Sequence, residues 1–219
     1  DNNITCSVCH DQHNSNTNSS YTRVSNAGDA MCKDCHAPRN VGSYSDNTAN
    51  KGSHPVGITY DGADERFETS PINANILLIN SKVECSSCHS PHYAATNDGY
   101  LLRDTNDDLL CASCHLYQGH KGFGCNTCHQ PHNTDKANIY MIRNSIATPN
   151  SGNKTVVFTA ETGTNSFADG DATYDGICEV CHTETSHFMN DGTATDQNHS
   201  SVGGAAGVNC TGCHPHRTD

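Results

Sequence analysis

Cys85-Ser86-Ser87-Cys88-His89-Ser90-Pro91-His92 is the stretch on which the reading of this chain turns. It has the form C-x-x-C-H-x-x-H. Two thiols three residues apart can add to the two vinyl groups of one haem, and the adjacent histidine then sits under the iron as its proximal ligand. The second histidine, three residues on, is offered to an iron as well.

The pattern extends outward until it accounts for all 14 cysteines. Motif 1 is Cys6, Cys9 and His10; motif 2 is Cys32, Cys35 and His36; motif 3 is Cys85, Cys88 and His89. Motif 4 is Cys111, Cys114 and His115; motif 5 is Cys125, Cys128 and His129. Motif 6 is Cys178, Cys181 and His182; motif 7 is Cys210, Cys213 and His214. Cysteine pairs also build zinc sites, and an even cysteine count suits disulfides. Neither requires a histidine directly after every pair, so covalent haem c, seven per chain, is the expectation.

Composition agrees. Hydrophobic residues make up 33% of the chain, aromatics 6%, and Trp is absent. A polypeptide this poor in apolar side chains reads as nearly disordered. Seven flat, apolar macrocycles would replace the missing core, and the haem-free chain is expected not to fold. The net charge of −12, with propionates added, opposes binding to nucleic acid or anionic lipid. No run approaches the roughly 20 apolar residues of a membrane span; the longest candidate is Ile76-Leu77-Leu78-Ile79. Haem c is attached outside the cytoplasmic membrane, so export with removal of a signal is expected, placing the chain outside the cell, on its surface, or in a periplasm.

The motifs lie in a repeat. Each unit runs C-x-x-C-H-x-x-H, spacer, Tyr–Arg, C-x-x-C-H, spacer, His. Units cover approximately 6–57, 85–122 and 125–203, with a truncated fourth at 210–219. Tyr21, Tyr100 and Tyr140 each follow the unit's second histidine by eight residues, with Arg23, Arg103 and Arg143 close behind. The tyrosines are expected to pack against haem faces; the arginines pair with propionates or are solvated. The long spacers, 55–84 and 144–177, each hold one strand-like run, Asn75–Ile79 and Thr155–Phe158, expected as short strands or a hairpin. Gly, Pro and Asn punctuation predicts mostly coil, with single helical turns carrying the motifs and little regular secondary structure, in a single haem-cored domain over 1–219.

Eight histidines remain as candidate distal ligands: His13, His54, His92, His120, His132, His187, His199 and His216. Seven irons need seven, so the count suits bis-histidine ligation throughout. The repeat suggests a forward wiring: His13 to the haem of motif 2, His54 to motif 3, His92 to motif 4, His120 to motif 5, His132 to motif 6 and His199 to motif 7. Motif 1 is then left without a partner, and His187 and His216 without a haem. Ligation across a subunit contact would use that imbalance and give a head-to-tail filament. Alternatively, His187 folds back onto motif 1 and His216 is exposed.

Cys85–His92, Cys125–His132 and His54-Pro55-Val56 resemble the doubled C-x-x-C-H family of multihaem cytochromes c. The opening, Cys6-Ser7-Val8-Cys9-His10-Asp11-Gln12-His13-Asn14, resembles the extracellular cytochrome filaments of metal-respiring prokaryotes. That resemblance implies an unbroken haem stack and a histidine of one subunit ligating an iron in the next. The donor in such filaments is the histidine just after the first motif, here His13, in competition with its intrachain assignment. Seven motifs depart from the counts of the best-known filaments.

The expected function is electron transport by low-spin haems of low potential, passing electrons from other redox cytochromes to an extracellular acceptor. A soluble shuttle shares these ligands and differs in assembly. A multihaem reductase needs one iron with an open site; seven regular motifs and a surplus of histidines argue against an enzyme.

Overall fold

A C-x-x-C-H segment closes one helical turn and then stops. In the computed structural model, the histidine N–H of motif 1 donates to the Cys6 carbonyl at 2.9 Å, and that of motif 3 to the Cys85 carbonyl at 3.0 Å. The same bond closes motifs 4 to 7. Both thiols and the imidazole fall at i, i+3 and i+4, which is one face of a helix. The structure describes residues 4–13, 21–39, 52–96, 99–105, 108–116, 120, 122–133, 136–149, 151–169, 171–182 and 209–214.

Most of the described chain is coil and turn. The helices are α1 (Cys6–Cys9), α2 (Ala30–His36), α3 (Cys85–Cys88), α4 (Asp108–Ala112) and α5 (Cys125–Cys128), and each carries motif cysteines. Motif 6 is a run of turns, and Cys210–Gly212 is one 3₁₀ turn. Two antiparallel pairs are present: β1 (Ile58–Thr59) with β2 (Lys82–Val83), and β3 (Ser145–Thr148) with β4 (Gly152–Thr155).

The strands lie beside, not on, the two apolar runs. Ile79 contributes one isolated bridge to Lys82, while Ile76 is buried and Leu77 exposed. Thr155 ends β4, and Val156–Phe158 continues as extended, buried coil. The ladder forms one step earlier because Ser145–Thr148 alternates exposed and buried, and Gly152 supplies the positive φ of 67° that reverses the chain.

Ile139, Ile142, Ile146, Val156, Phe158, Phe167 and Val180 make the side-chain core, against which Cys128, Tyr140, Cys178 and Cys210 pack. Burying such a side chain stabilises by about 1.5–3 kcal/mol. Elsewhere large apolar side chains face outward. Tyr93 is 87% exposed and Ile4 79%. Apolar groups held this way, beside motif cysteines, suit a chain whose interior is completed by haem.

Candidate haem-binding sites

Motifs 1, 3 and 5 are each fixed by the segment that follows. Arg23, Arg103 and Arg143 donate their backbone N–H to Cys9, Cys88 and Cys128, at 2.9, 2.8 and 2.8 Å. Their Nε donates to the carbonyls of Ser7, Ser86 and Asn126 at 2.6, 2.6 and 2.8 Å. Two residues before each arginine, Tyr21, Leu101 and Met141 adopt left-handed φ of 54°, 56° and 58°. Their carbonyls accept the N–H just after the motif histidine, at 2.7, 2.7 and 2.8 Å. Left-handed non-glycine residues cost on the order of 1–3 kcal/mol, and here a hydrogen bond on either side offsets it.

This corrects the register of the tyrosines. Arginine N–H bonds to the motif's last cysteine carbonyl set the alignment, so Tyr21 takes the place of Leu101 and Met141. The place of Tyr100 and Tyr140 falls on residue 20, outside the described residues. The Tyr100 and Tyr140 carbonyls bond Nδ1 of His89 and His129, at 2.8 and 3.0 Å. A carbonyl on Nδ1 fixes the proton there, leaves Nε2 for a metal and makes the imidazole more basic. The arginines brace the motif turn through Nε, a role distinct from both propionate pairing and simple solvation.

Four pairs of imidazoles face one another. His92 stacks on His10 with centroids 5.7 Å apart, and His132 faces His89 at 6.0 Å. His54 faces His115 at 6.0 Å, and His120 faces His182 at 5.8 Å. Two imidazoles on opposite sides of one metal, each about 2 Å from it, have centroids about 6 Å apart. Each pair joins one motif histidine to one distal candidate. The residues present therefore fit a bis-histidine haem.

The forward wiring is corrected for these four. His92 lies against the motif 1 histidine, His132 against that of motif 3, His54 against that of motif 4 and His120 against that of motif 6. The chain doubles back instead of passing each ligand to the next motif. His54 N–H donates to the Pro131 carbonyl at 2.7 Å, and Ser53 bridges to His132. Nδ1 of His132 bonds the Arg39 carbonyl at 3.0 Å, and Nδ1 of His54 the Pro55 carbonyl at 3.1 Å. These bonds set two distal candidates side by side, against the histidines of adjacent motifs. Of the other distal candidates, His187, His199 and His216 lie outside the described residues. His13 lines a cleft of about 530 Å³ with Cys6, His10, Asp11 and Arg23.

Partial desolvation drives several of these imidazoles toward their neutral, ligating form. It pushes His115 down to about 4, with help from His54 and His129, and lowers His54, His89 and His182. Burial also pushes the Cys85 and Cys88 thiols up to about 11 and Cys125 up to about 12. No thiol is oxidised to a disulfide.

Successive motifs are neighbours. Cys9 acts electrostatically on Cys32, and Cys32 on Cys85. Cys88 feels Cys111 and Cys114, and Cys125 bonds Cys111. Cys181 acts on Cys128, and the Cys178 and Cys210 thiols are hydrogen-bonded. The motifs thus follow one another in space in chain order, 1 through 7.

Two carboxylates that sequence reading passed over hold this order. Asp29 is buried and accepts the Ser86 N–H of α3 at 2.9 Å. Asp108 accepts the Cys125 N–H of α5 at 2.5 Å, and Gly124 leaves it room, since a Cβ there would meet Asp108 Oδ1 at 2.7 Å. Each lies three residues before an even motif and caps the next odd one. Asp175, three before Cys178, continues that spacing, a signal readable in the sequence. Tyr60 was likewise missed; its hydroxyl donates to the Glu68 and Cys114 carbonyls at 2.7 and 3.3 Å, holding 58–72 around motif 4.

No helix among the described residues is long and apolar enough to cross a membrane. The model of the doubled CXXCH motif matches residues 2–40 and 79–120, which hold motifs 1 to 4. The match supports a multihaem c-type cytochrome with covalently attached haem. No curated protein and no solved structure matches the chain.

Proposed function

We propose that the chain is an electron-transfer cytochrome carrying seven covalent, bis-histidine haems, arranged as one conduit from motif 1 to motif 7. The observation that carries this reading is the unbroken succession of neighbouring motifs, in which four already have a second imidazole at the spacing of an axial pair. Within such a chain the residues' work is positional. The motif turns set the attachment edges, the carbonyl bonds to Nδ1 orient the rings, and the carboxylate caps hold successive motifs together. Haem supplies the one-electron chemistry; the polypeptide sets distance and potential. Histidine in both axial positions, with no methionine ligand, and the −12 charge favour low potentials. The chain has no catalytic role in this proposal. It works outside the cell or on its surface, between other redox cytochromes and an extracellular acceptor.

The test is a haem count by pyridine haemochrome, with the ferric spectrum of the same sample. Seven haems per chain, all low-spin, fit the proposal. A high-spin haem that binds carbon monoxide in the native protein points instead to a reductase.

Assembly has two readings. Eight distal candidates for seven irons leave one over, and its use across a subunit contact would join chains head to tail into a filament. His13 and His216 are the donors to consider. The pairing of His92 with His10 favours the discrete shuttle instead, because it closes motif 1 within the chain. Electron microscopy of protein sheared from its cells separates them: filaments with a regular repeat, or particles of monomer size.

A further inference from the structure

The loop leading into motif 6 gathers carboxylates. One oxygen each from Asp169, Asp171 and Glu179 lies within 4.8 Å of the other two. Three atoms that close lie at most about 2.8 Å from a common centre, next to the 2.3–2.6 Å of calcium–oxygen bonds, so a small inward movement lets all three reach one ion. Glu179 is wholly buried. Its Oε1 accepts the Gly176 N–H at 2.8 Å, while its Oε2 is buried without a partner. A buried, unpartnered carboxylate oxygen is costly. In the same stretch of chain, Asp175 Oδ1 and Ser166 Oγ are also buried without a partner. Three such orphaned oxygens within one short segment are a second observation, independent of the clustering of acids. The charges acting on Glu179 are those of Asp169, Asp171 and Asp175, all negative, and with burial they raise it above the ordinary carboxylate range.

We propose that Asp169, Asp171 and Glu179, with Asp175 beside them, hold a divalent cation that prefers oxygen ligands, of the calcium type. An all-oxygen donor set on an irregular loop suits calcium better than magnesium, which demands a tighter octahedron and keeps its water. The acids follow one another at spacings of two, four and four residues, with Gly176 in the turn. Gly176 has no replaceable hydrogen to spare, since a Cβ there would lie 2.9 Å from Glu179 Oε1 and 2.7 Å from the Phe167 carbonyl oxygen. The ion would close a loop whose ends otherwise repel, and would tie the β3–β4 core to motif 6.

Glu179 stands between Cys178 and Cys181. On the seven-haem reading, a divalent charge there opposes the extra positive charge of ferric iron, so the haem of motif 6 would rise in potential when the ion binds. That consequence rests on the proposed function; the ion site does not.

The test uses the haem-loaded protein, stripped with a chelator and dialysed. Equilibrium dialysis against radiolabelled calcium should give one saturable ion per chain, with a thermal midpoint that rises with calcium concentration. Asp171→Asn should weaken binding by more than the roughly 10-fold that loss of even an outer-shell partner costs a metal site. Asp169→Asn should do the same, and haem content should stay at the wild-type value in at least one of the two. Absence of saturable calcium binding, or binding unchanged in both variants, overturns the site. A haem count below seven with calcium binding intact would count against the proposed function and leave the site standing.

Discussion

At the scale of single residues, the ring pairs make the sharpest claims. His92 lies against His10, so His92→Ala should leave one iron with an open axial position. The expected outcome is one high-spin haem per chain that binds carbon monoxide when reduced, the others staying low-spin. An entirely low-spin spectrum for this variant would mean that the pair encloses no iron. His115 makes a second claim, about pH. Burial pushes it down to about 4, against about 6.5 for a free imidazole. The ring is therefore held in its neutral, iron-binding form over the range in which a free imidazole protonates. In the haem-loaded chain the low-spin spectrum should stay unchanged as pH falls from neutral to about 5, and a high-spin signal appearing near about 6.5 would contradict the burial argument.

At the scale of elements, the repeated unit is a helical turn braced from two sides. The arginine segment follows the turn, and a carboxylate from the preceding motif caps it. Asp108 accepts the Cys125 N–H, and hydrogen bonds to charged groups contribute about 1.5–3 kcal/mol. Asp108→Ala should lower stability by that order, and Asp29→Ala should do the same through α3. Asp34→Ala, on the exposed side of α2, is the control, and thermal melts of the haem-loaded variants are the measurement. The motif turns were legible because C-x-x-C-H is local: one hydrogen bond, from His to the first Cys, closes it. The scarcity of regular structure was legible from composition. What the repeat concealed was long-range. A periodic sequence suggests that each ligand goes to the next motif, but Ser53, His54 and Arg39 meet Pro131 and His132 through backbone bonds that leave no periodic trace. Val156 and Phe158 looked like strand for the same reason, although they are buried in coil while the ladder uses Ser145–Thr148. Asp29 and Asp108 stood at a fixed distance before their cysteines, but only the fold gives that distance a meaning.

At the scale of the whole molecule, the question is what holds the chain together. Among the described residues, seven buried apolar side chains form one cluster, and it sits in the third unit. Fixing a backbone costs on the order of 1–2 kcal/mol per residue, whereas each buried side chain returns about 1.5–3 kcal/mol. A core of this size cannot order 219 residues. The remaining connections among described residues are hydrogen bonds and short ladders, which add about 0.5–1.5 kcal/mol apiece at most sites. The exposed Ile4, Tyr93 and Tyr100 show where further apolar surface waits for cover. Haem fits that place chemically, since it is large, flat and apolar, and the thioether bonds would fix it to turns that already point their thiols one way. The haem-free chain, reduced so that no disulfides substitute, should therefore show no cooperative far-UV melt, while the haem-loaded chain melts cooperatively. The third unit sets the limit on this expectation: a partial transition confined to residues 136–182 is consistent with its own core, whereas a cooperative transition of the entire haem-free chain would show that the polypeptide supplies its own interior and that the haems are guests rather than the framework.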